Sequence, residues 1–220
     1  MRDVLIALLP ALCGSVYFFG FRALTVTLVS VAACFFFEWA WCKVRKQPCK
    51  VTDLSCVVTG VLLAFVCPVT IPYWAIIMGA FFAIIVVKML FGGIGLNIVN
   101  PALAGRAFMF SWTPLMTNWV KPGFDHAVGL GNATDAVTAA TPLAEKGEMI
   151  APLSDMFFGN VGGCIGETSV VLLLIGLVYL LIRRVITLHI PLAFVGTVAL
   201  LTVLFPMGNN HLTWMAYQLC

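Results

Sequence analysis

The 220-residue chain carries 62% hydrophobic and only 10% charged residues, where a soluble globular chain has roughly 25% charged. That composition excludes an ordinary soluble domain. The net charge of +3 comes from Lys and Arg set between apolar runs and not gathered on one face, which excludes a nucleic-acid partner. Crossing a hydrocarbon core of about 30 Å takes roughly 17–25 apolar residues as helix, and runs of that kind recur along the chain. They are apolar on every side, unlike the alternating strands of a membrane barrel. The predicted fold class is therefore all-α, a polytopic helical membrane protein with about seven spanning helices in a single domain covering residues 1–220.

In chain order, the first run is Val4 to Phe21, read as a spanning helix because no small-residue cleavage site leads into a soluble domain. Arg22 is the only charge between it and the second run, Ala23 to Trp41. Lys43, Arg45, Lys46 and Lys50 follow it and are assigned to the cytoplasm by the positive-inside tendency. The third run, Val51 to Cys67, goes outward and turns at Cys67-Pro-Val-Thr-Ile-Pro72, whose two prolines suit a short connection. The fourth, Tyr73 to Val87, returns and ends inside at Lys88. The segment from Phe91 to Pro101 is too rich in Gly and Asn for a plain lipid-facing helix, and broken backbone at the membrane needs protein or a watery cavity around it.

A fifth, short run from Ala102 to Leu115 carries Arg106 and goes outward, so residues 116–166 form one long outer loop. The sixth run, Thr168 to Ile182, ends inside at Arg183-Arg184, and the seventh, Val185 to Phe205, goes out again. Of the 12 basic residues, Arg2, Lys43, Arg45, Lys46, Lys50, Lys88, Arg183 and Arg184 all fall on the inner side. Among the 8 cysteines, Cys13, Cys34, Cys56 and Cys67 lie in apolar runs and no Cys-x-x-Cys occurs, so cysteine reads as a small apolar packing residue. His126, His189 and His211 lack ligand-like spacing, and no metal site is predicted.

Three stretches carry polar chemistry. Gly92, Gly93, Asn97 and Asn100 offer bare backbone and amide groups able to meet the donors and acceptors of a ring system. Arg106 suits a phosphate or another anion, against the blander reading of a snorkelling or carboxylate-paired arginine. Glu167, Thr168 and Ser169 open the sixth helix, where free amides attract anions and where ordinary capping is the competing explanation. In the outer loop, Asp135, Thr138 and Thr141 lie among small residues that leave hydroxyls accessible, and Thr141 precedes Pro142. Glu38, within Phe-Phe-Phe-Glu-Trp-Ala-Trp, stands a little over one turn before Lys43, and the plainest reading pairs it with that basic loop at the interface.

Taken together, Phe91-Gly-Gly-Ile-Gly-Leu-Asn97-Ile-Val-Asn100-Pro-Ala-Leu-Ala-Gly-Arg106, then Asp135-Ala-Val-Thr-Ala-Ala-Thr141-Pro, then Gly166-Glu-Thr-Ser169, is similar in order and spacing to one family. That family joins the D subunit of the Rnf-type electron transport complex to the B subunit of the Na+-translocating NADH:quinone reductase, and the resemblance covers nearly the whole chain. It implies a flavoprotein subunit of an ion-translocating oxidoreductase in the bacterial inner membrane, passing electrons across the membrane in step with Na+ or H+ movement. It further implies FMN joined to Thr141 by a phosphoester bond, which makes the chain a phosphoprotein in the chemical sense. The resemblance also brings in a dedicated flavin transferase and, among the other subunits, an outer one carrying its own FMN. A second, non-covalent flavin such as riboflavin is left open.

The chain departs from the family's threonine motif at Ala136 and at Ala139, where glycine is usual. Glu38 matches a glutamate considered in the family for cation uptake. The short Phe21-Arg22 link favours the Rnf D branch over the quinone reductase branch, which carries a large insertion there. The chain is expected to lack the family's C-terminal helices. Two alternatives stand beside this reading: a protein like the B subunit of the quinone reductase, and a small-molecule transporter with its site in the broken segment 91–101.

Overall fold

The protein is seen in a computed structural model that describes residues 1–46, 53–93, 95–120, 153–159, 161–167 and 169–205. Among these residues every regular element is helical and none is a strand.

The first two helices form a hairpin. Helix α1, Arg2–Phe19, ends at Gly20, whose φ of 74° suits glycine alone, and α2, Phe21–Arg45, starts at once. The buried face of α2 carries mostly small or polar side chains, among them Ala23, Thr27, Ser30, Cys34, Glu38 and Cys42, while Phe35, Phe36 and Trp39 face outward. That face receives α3, Ser55–Phe65, which runs antiparallel to α2. Arg22 donates to the Val69 carbonyl at 3.0 Å, Ser30 Oγ donates to the Gly60 carbonyl at 2.7 Å, and Glu38 lies opposite Ser55. Small residues let the two backbones approach, and a Cβ on Gly60 would stand 2.7 Å from the Val31 Cα.

Helix α4, Tyr73–Phe81, begins after Pro72 and continues without a break as a π-helix, Phe82–Met89. It runs parallel to α2, as Thr25 with Tyr73 and Phe37 with Phe81 establish. Helix α5, Pro101–Met109, packs antiparallel on α4. Phe82 and Phe108 stack at 4.5 Å between ring centroids, and Trp74 meets Trp112 edge-on at 5.6 Å. A 3₁₀ turn, Phe110–Trp112, and the four-residue α6, Thr113–Met116, follow it.

Beyond the short α7, Leu153–Phe158, helix α8, Val170–Ile182, lies antiparallel on α1. Gly176 abuts the Ala7 carbonyl so closely that no Cβ fits, and Arg183 Nε reaches Asp3 Oδ1 at 3.1 Å. Helix α9, His189–Leu204, has no buried residue.

Among the described residues two helices, α1 and α2, are long and apolar enough to cross a membrane by length and composition. The third predicted run shortens to the 11 residues of α3, and the fifth breaks into α5, the 3₁₀ turn and α6, with Pro114 in the last of these. Among the described residues, Cys34, Cys42, Cys56, Cys67 and Cys164 are buried, as packing residues would be, and Cys13 is exposed.

Candidate functional site

The sequence separates Glu38 and Lys88 by fifty positions, yet the fold joins them. The buried face of α2 carries Glu38 inward at 4% exposure, and Lys88, one residue before the π-helix ends, is 2% exposed. Lys88 Nζ donates to Glu38 Oε2 at 2.5 Å and to Ser55 Oγ, the first residue of α3, at 2.7 Å. This corrects two expectations. Glu38 does not pair with Lys43, whose ammonium sits 5.0 Å from the centre of the Trp39 ring. Lys88 is not an exposed loop charge, since it is buried and paired inside the helix packing.

The cause lies in the backbone. A π-helix bonds i to i+5, as Leu90 N–H to the Ile85 carbonyl at 3.1 Å does here, and so turns its residues to faces that a 3.6-residue period does not predict. Each charge is costly to bury alone and is retained by the other, so removing either partner costs about 3–5 kcal/mol.

The same lysine anchors the glycine-rich segment. Its carbonyl accepts the Gly93 N–H at 2.9 Å, and the Asn97 amide, with its O and N exchanged, donates to the Gly93 carbonyl at 3.0 Å and to that of Lys88 at 3.2 Å. Gly92 and Gly93 hold φ of 106° and 95°, where an L side chain is strained, and no atom lies within 4 Å of a Cβ built on Gly93. Asn100 Oδ1 accepts the Ala102 N–H at 3.0 Å and caps α5, with Pro101 in the first helical turn. The four residues thus share one loop at the end of the π-helix. The backbone of that loop is accessible, and its two amide side chains bind local backbone.

A second group gathers at the C-terminal end of α3. Ile165 N–H bonds the Cys67 carbonyl at 3.0 Å and Gly166 N–H the Phe65 carbonyl at 2.9 Å, so residues 164–167 lie across that helix end. Gly166 is required there, since a Cβ would meet that of Phe65 at 2.6 Å. Arg106, half-buried on α5, places its guanidinium 5.5 Å from the Phe110 ring centre, and among the described residues no carboxylate pairs with it. Burial pushes the Cys164 thiol up, and Glu167 pushes it further while Arg106 opposes, so both charges act on one buried sulfur. Ser169 Oγ donates to the Phe157 carbonyl at 3.4 Å and does not cap α8. Asp135, Thr138, Thr141 and Thr168 lie outside the described residues.

Lys88 and Ser55 are the members that sequence reasoning missed. The usable signal was the one that singled out Glu38, a charge within an apolar run. Applied equally to Lys88, it leaves two opposite intramembrane charges to be matched.

Described residues that are helical wherever regular, two long apolar helices, and a buried ion pair joining α2 to the π-helix beside a glycine-rich break are consistent with a helical membrane protein. Residues 1–220 match the model of the NQR2, RnfD, RnfE family, and the chain belongs to that family. It is 44% identical, over 98% of its length and 66% of the relative's, to the D subunit of the Na(+)-translocating ferredoxin:NAD(+) oxidoreductase complex of Acetobacterium woodii. It is 38% identical, over 93% and 64%, to the proton-translocating counterpart of Clostridium ljungdahlii. To the D subunit of the ion-translocating oxidoreductase complex of Rhodobacter capsulatus it is 35% identical, over 100% and 71%. The chain spans about two thirds of the length of these curated relatives.

Proposed function

We propose that the chain is the D-type membrane subunit of an Rnf-type complex, carrying FMN on Thr141 and passing electrons across the bacterial inner membrane in step with movement of Na+ or H+. The observation that carries this is the family match over residues 1–220, with D-type relatives aligned along nearly the whole chain. In this reading all seven apolar runs span the membrane, the shorter helices doing so with help from neighbouring subunits, and the loop with Thr141 faces outward. The partners are the remaining subunits of the complex, including an outer FMN-carrying one, and a flavin transferase.

Two features of the described residues support the flavin reading. Arg106 is a cation that no described carboxylate neutralises, suited to a phosphate or a reduced flavin anion. Gly92 and Gly93 present bare backbone at positive φ, where an L side chain is strained. A bound flavin supplies the acceptor and donor of electrons. The chain supplies the Thr141 hydroxyl as attachment point, small neighbours that admit a bulky donor, and Asp135 for the metal that accompanies phosphoryl transfer.

Thr141→Ala is expected to abolish in-gel flavin fluorescence after denaturation when the transferase is co-expressed. Thr138→Ala should lower it at most, and Thr141→Ser should retain part. Peptide mass spectrometry should place the adduct on Thr141 in the fragment between Lys121 and Lys146. An adduct on Thr138, or an active complex with none, sinks the assignment.

A further inference from the structure

We propose that Lys88 is the resident occupant of a monovalent-cation site at Glu38: its ammonium fills the place of a Na+-sized ion, and transport requires the two to exchange. The inference rests on Glu38 acting in ion coupling. Lys88 Nζ is held by a carboxylate oxygen at 2.5 Å and a hydroxyl oxygen at 2.7 Å, hard oxygen donors of the type that alkali and alkaline-earth cations select. Glu38 at 4% exposure and Lys88 at 2% lie in surroundings that penalise any net charge.

One carboxylate balances one positive charge. With the ammonium in place the site is neutral and closed to a second cation, and with the ammonium withdrawn it is an anionic hole that draws one in. Occupancy is therefore exclusive.

The fold also supplies a way for the ammonium to leave. Lys88 stands near the end of a π-helix, a form frequent at functional sites, and helix register shifts occur on the μs–ms timescale. Its carbonyl is tied to Gly93 and Asn97, so movement of the glycine-rich loop is transmitted to the lysine backbone. Lys88 is thus a positioning residue that gates the carboxylate.

The test uses the purified complex containing this chain, melted in NaCl or in choline chloride at equal ionic strength and, in liposomes, assayed for Na+ moved per electron. Lys88→Met should add an upward Na+-specific shift of about 2–4 °C in Tm relative to wild type, the size expected when a ligand binds the folded state alone. Na+ moved per electron should fall several-fold while electron transfer persists, because a cation stays trapped. The double variant Glu38→Gln with Lys88→Met should lose the extra Tm shift and stay uncoupled.

No extra Na+ shift in Lys88→Met, or a double variant that melts like wild type and is fully coupled, overturns the proposal and leaves the pair a structural bridge. If neither variant assembles, Lys88→Arg decides. It retains the charge, and its forked guanidinium holds a carboxylate more firmly, so slowed transport supports the proposal and wild-type coupling overturns it. Flavin content and electron transfer of the wild-type complex, measured on the same samples, separate this outcome from a failure of the functional reading.

Discussion

At the scale of single residues, the pair of Glu38 and Lys88 decides more than any other contact, because both groups are almost wholly removed from solvent. Glu38→Gln tests the carboxylate without dismantling its surroundings. The glutamine side-chain oxygen still accepts from Lys88 Nζ, and Ser55 Oγ keeps its own contact, so part of the roughly 3–5 kcal/mol expected for an orphaned buried charge is recovered. The expected outcome is a complex with unchanged covalent flavin and fewer ions moved per electron, read by flavin fluorescence and liposome transport together. Equal transport per electron reduces Glu38 to a packing partner. Reading Glu38 against Lys43 was reasonable from sequence, where the neighbour five positions away is the nearest opposite charge. It failed because Lys43 has the Trp39 ring beside it and because a fifty-residue separation leaves no local trace.

Among elements, glycines set how closely helices meet, and their surroundings differ enough to predict opposite effects. A methyl at Gly60 would strike the Val31 backbone at 2.7 Å, and backbone cannot step aside as a flexible side chain does. Gly60→Ala is therefore expected to lower stability by about 1–3 kcal/mol, the range for overpacking. Gly196, inside α9, has nothing within 4 Å of a built Cβ, so Gly196→Ala should be neutral or gain up to about 1 kcal/mol from helix propensity. Thermal melting of the two variants in the same detergent checks both, and equal shifts would count against the packing of α2 on α3. The helices themselves were legible, since an unbroken apolar run ended by charge or proline leaves little else to form. The π-helix was not, because residues 82–87 are apolar on all sides and carry no pattern by which a change of period announces itself. The broken segment 91–100 was legible as a break through its glycines. Asn97 and Asn100, offered there as groups for a ring, turn out to bind backbone of that segment and of the helices that flank it.

For the whole molecule, the contacts between distant segments fix which ends share a side. Asp3 at the start of α1 meets Arg183 just past α8 at 3.1 Å, with Tyr179 Oη 3.4 Å from the same carboxylate, so the N-terminus and the Arg183-Arg184 pair lie together. At the opposite end Arg22 holds the 67–72 turn through the Val69 and Ile71 carbonyls. Helix direction then alternates as the basic residues predict, even though Lys88 is buried in an ion pair and, among the described residues, only α1 and α2 are apolar helices of 18 residues or more. In the proposed orientation the remaining basic residues of that side put the N-terminus and Arg183-Arg184 in the cytoplasm. In a cysteine-depleted background, Gly147→Cys should therefore react with an impermeant thiol reagent in intact cells, while Thr187→Cys, just past the paired arginines, should react only after lysis. Labelling of Thr187→Cys in intact cells would invert the chain and move Thr141 to the cytoplasm. Protection of both would instead mean that one of the seven runs does not cross, with the short helices after residue 100 the first to suspect.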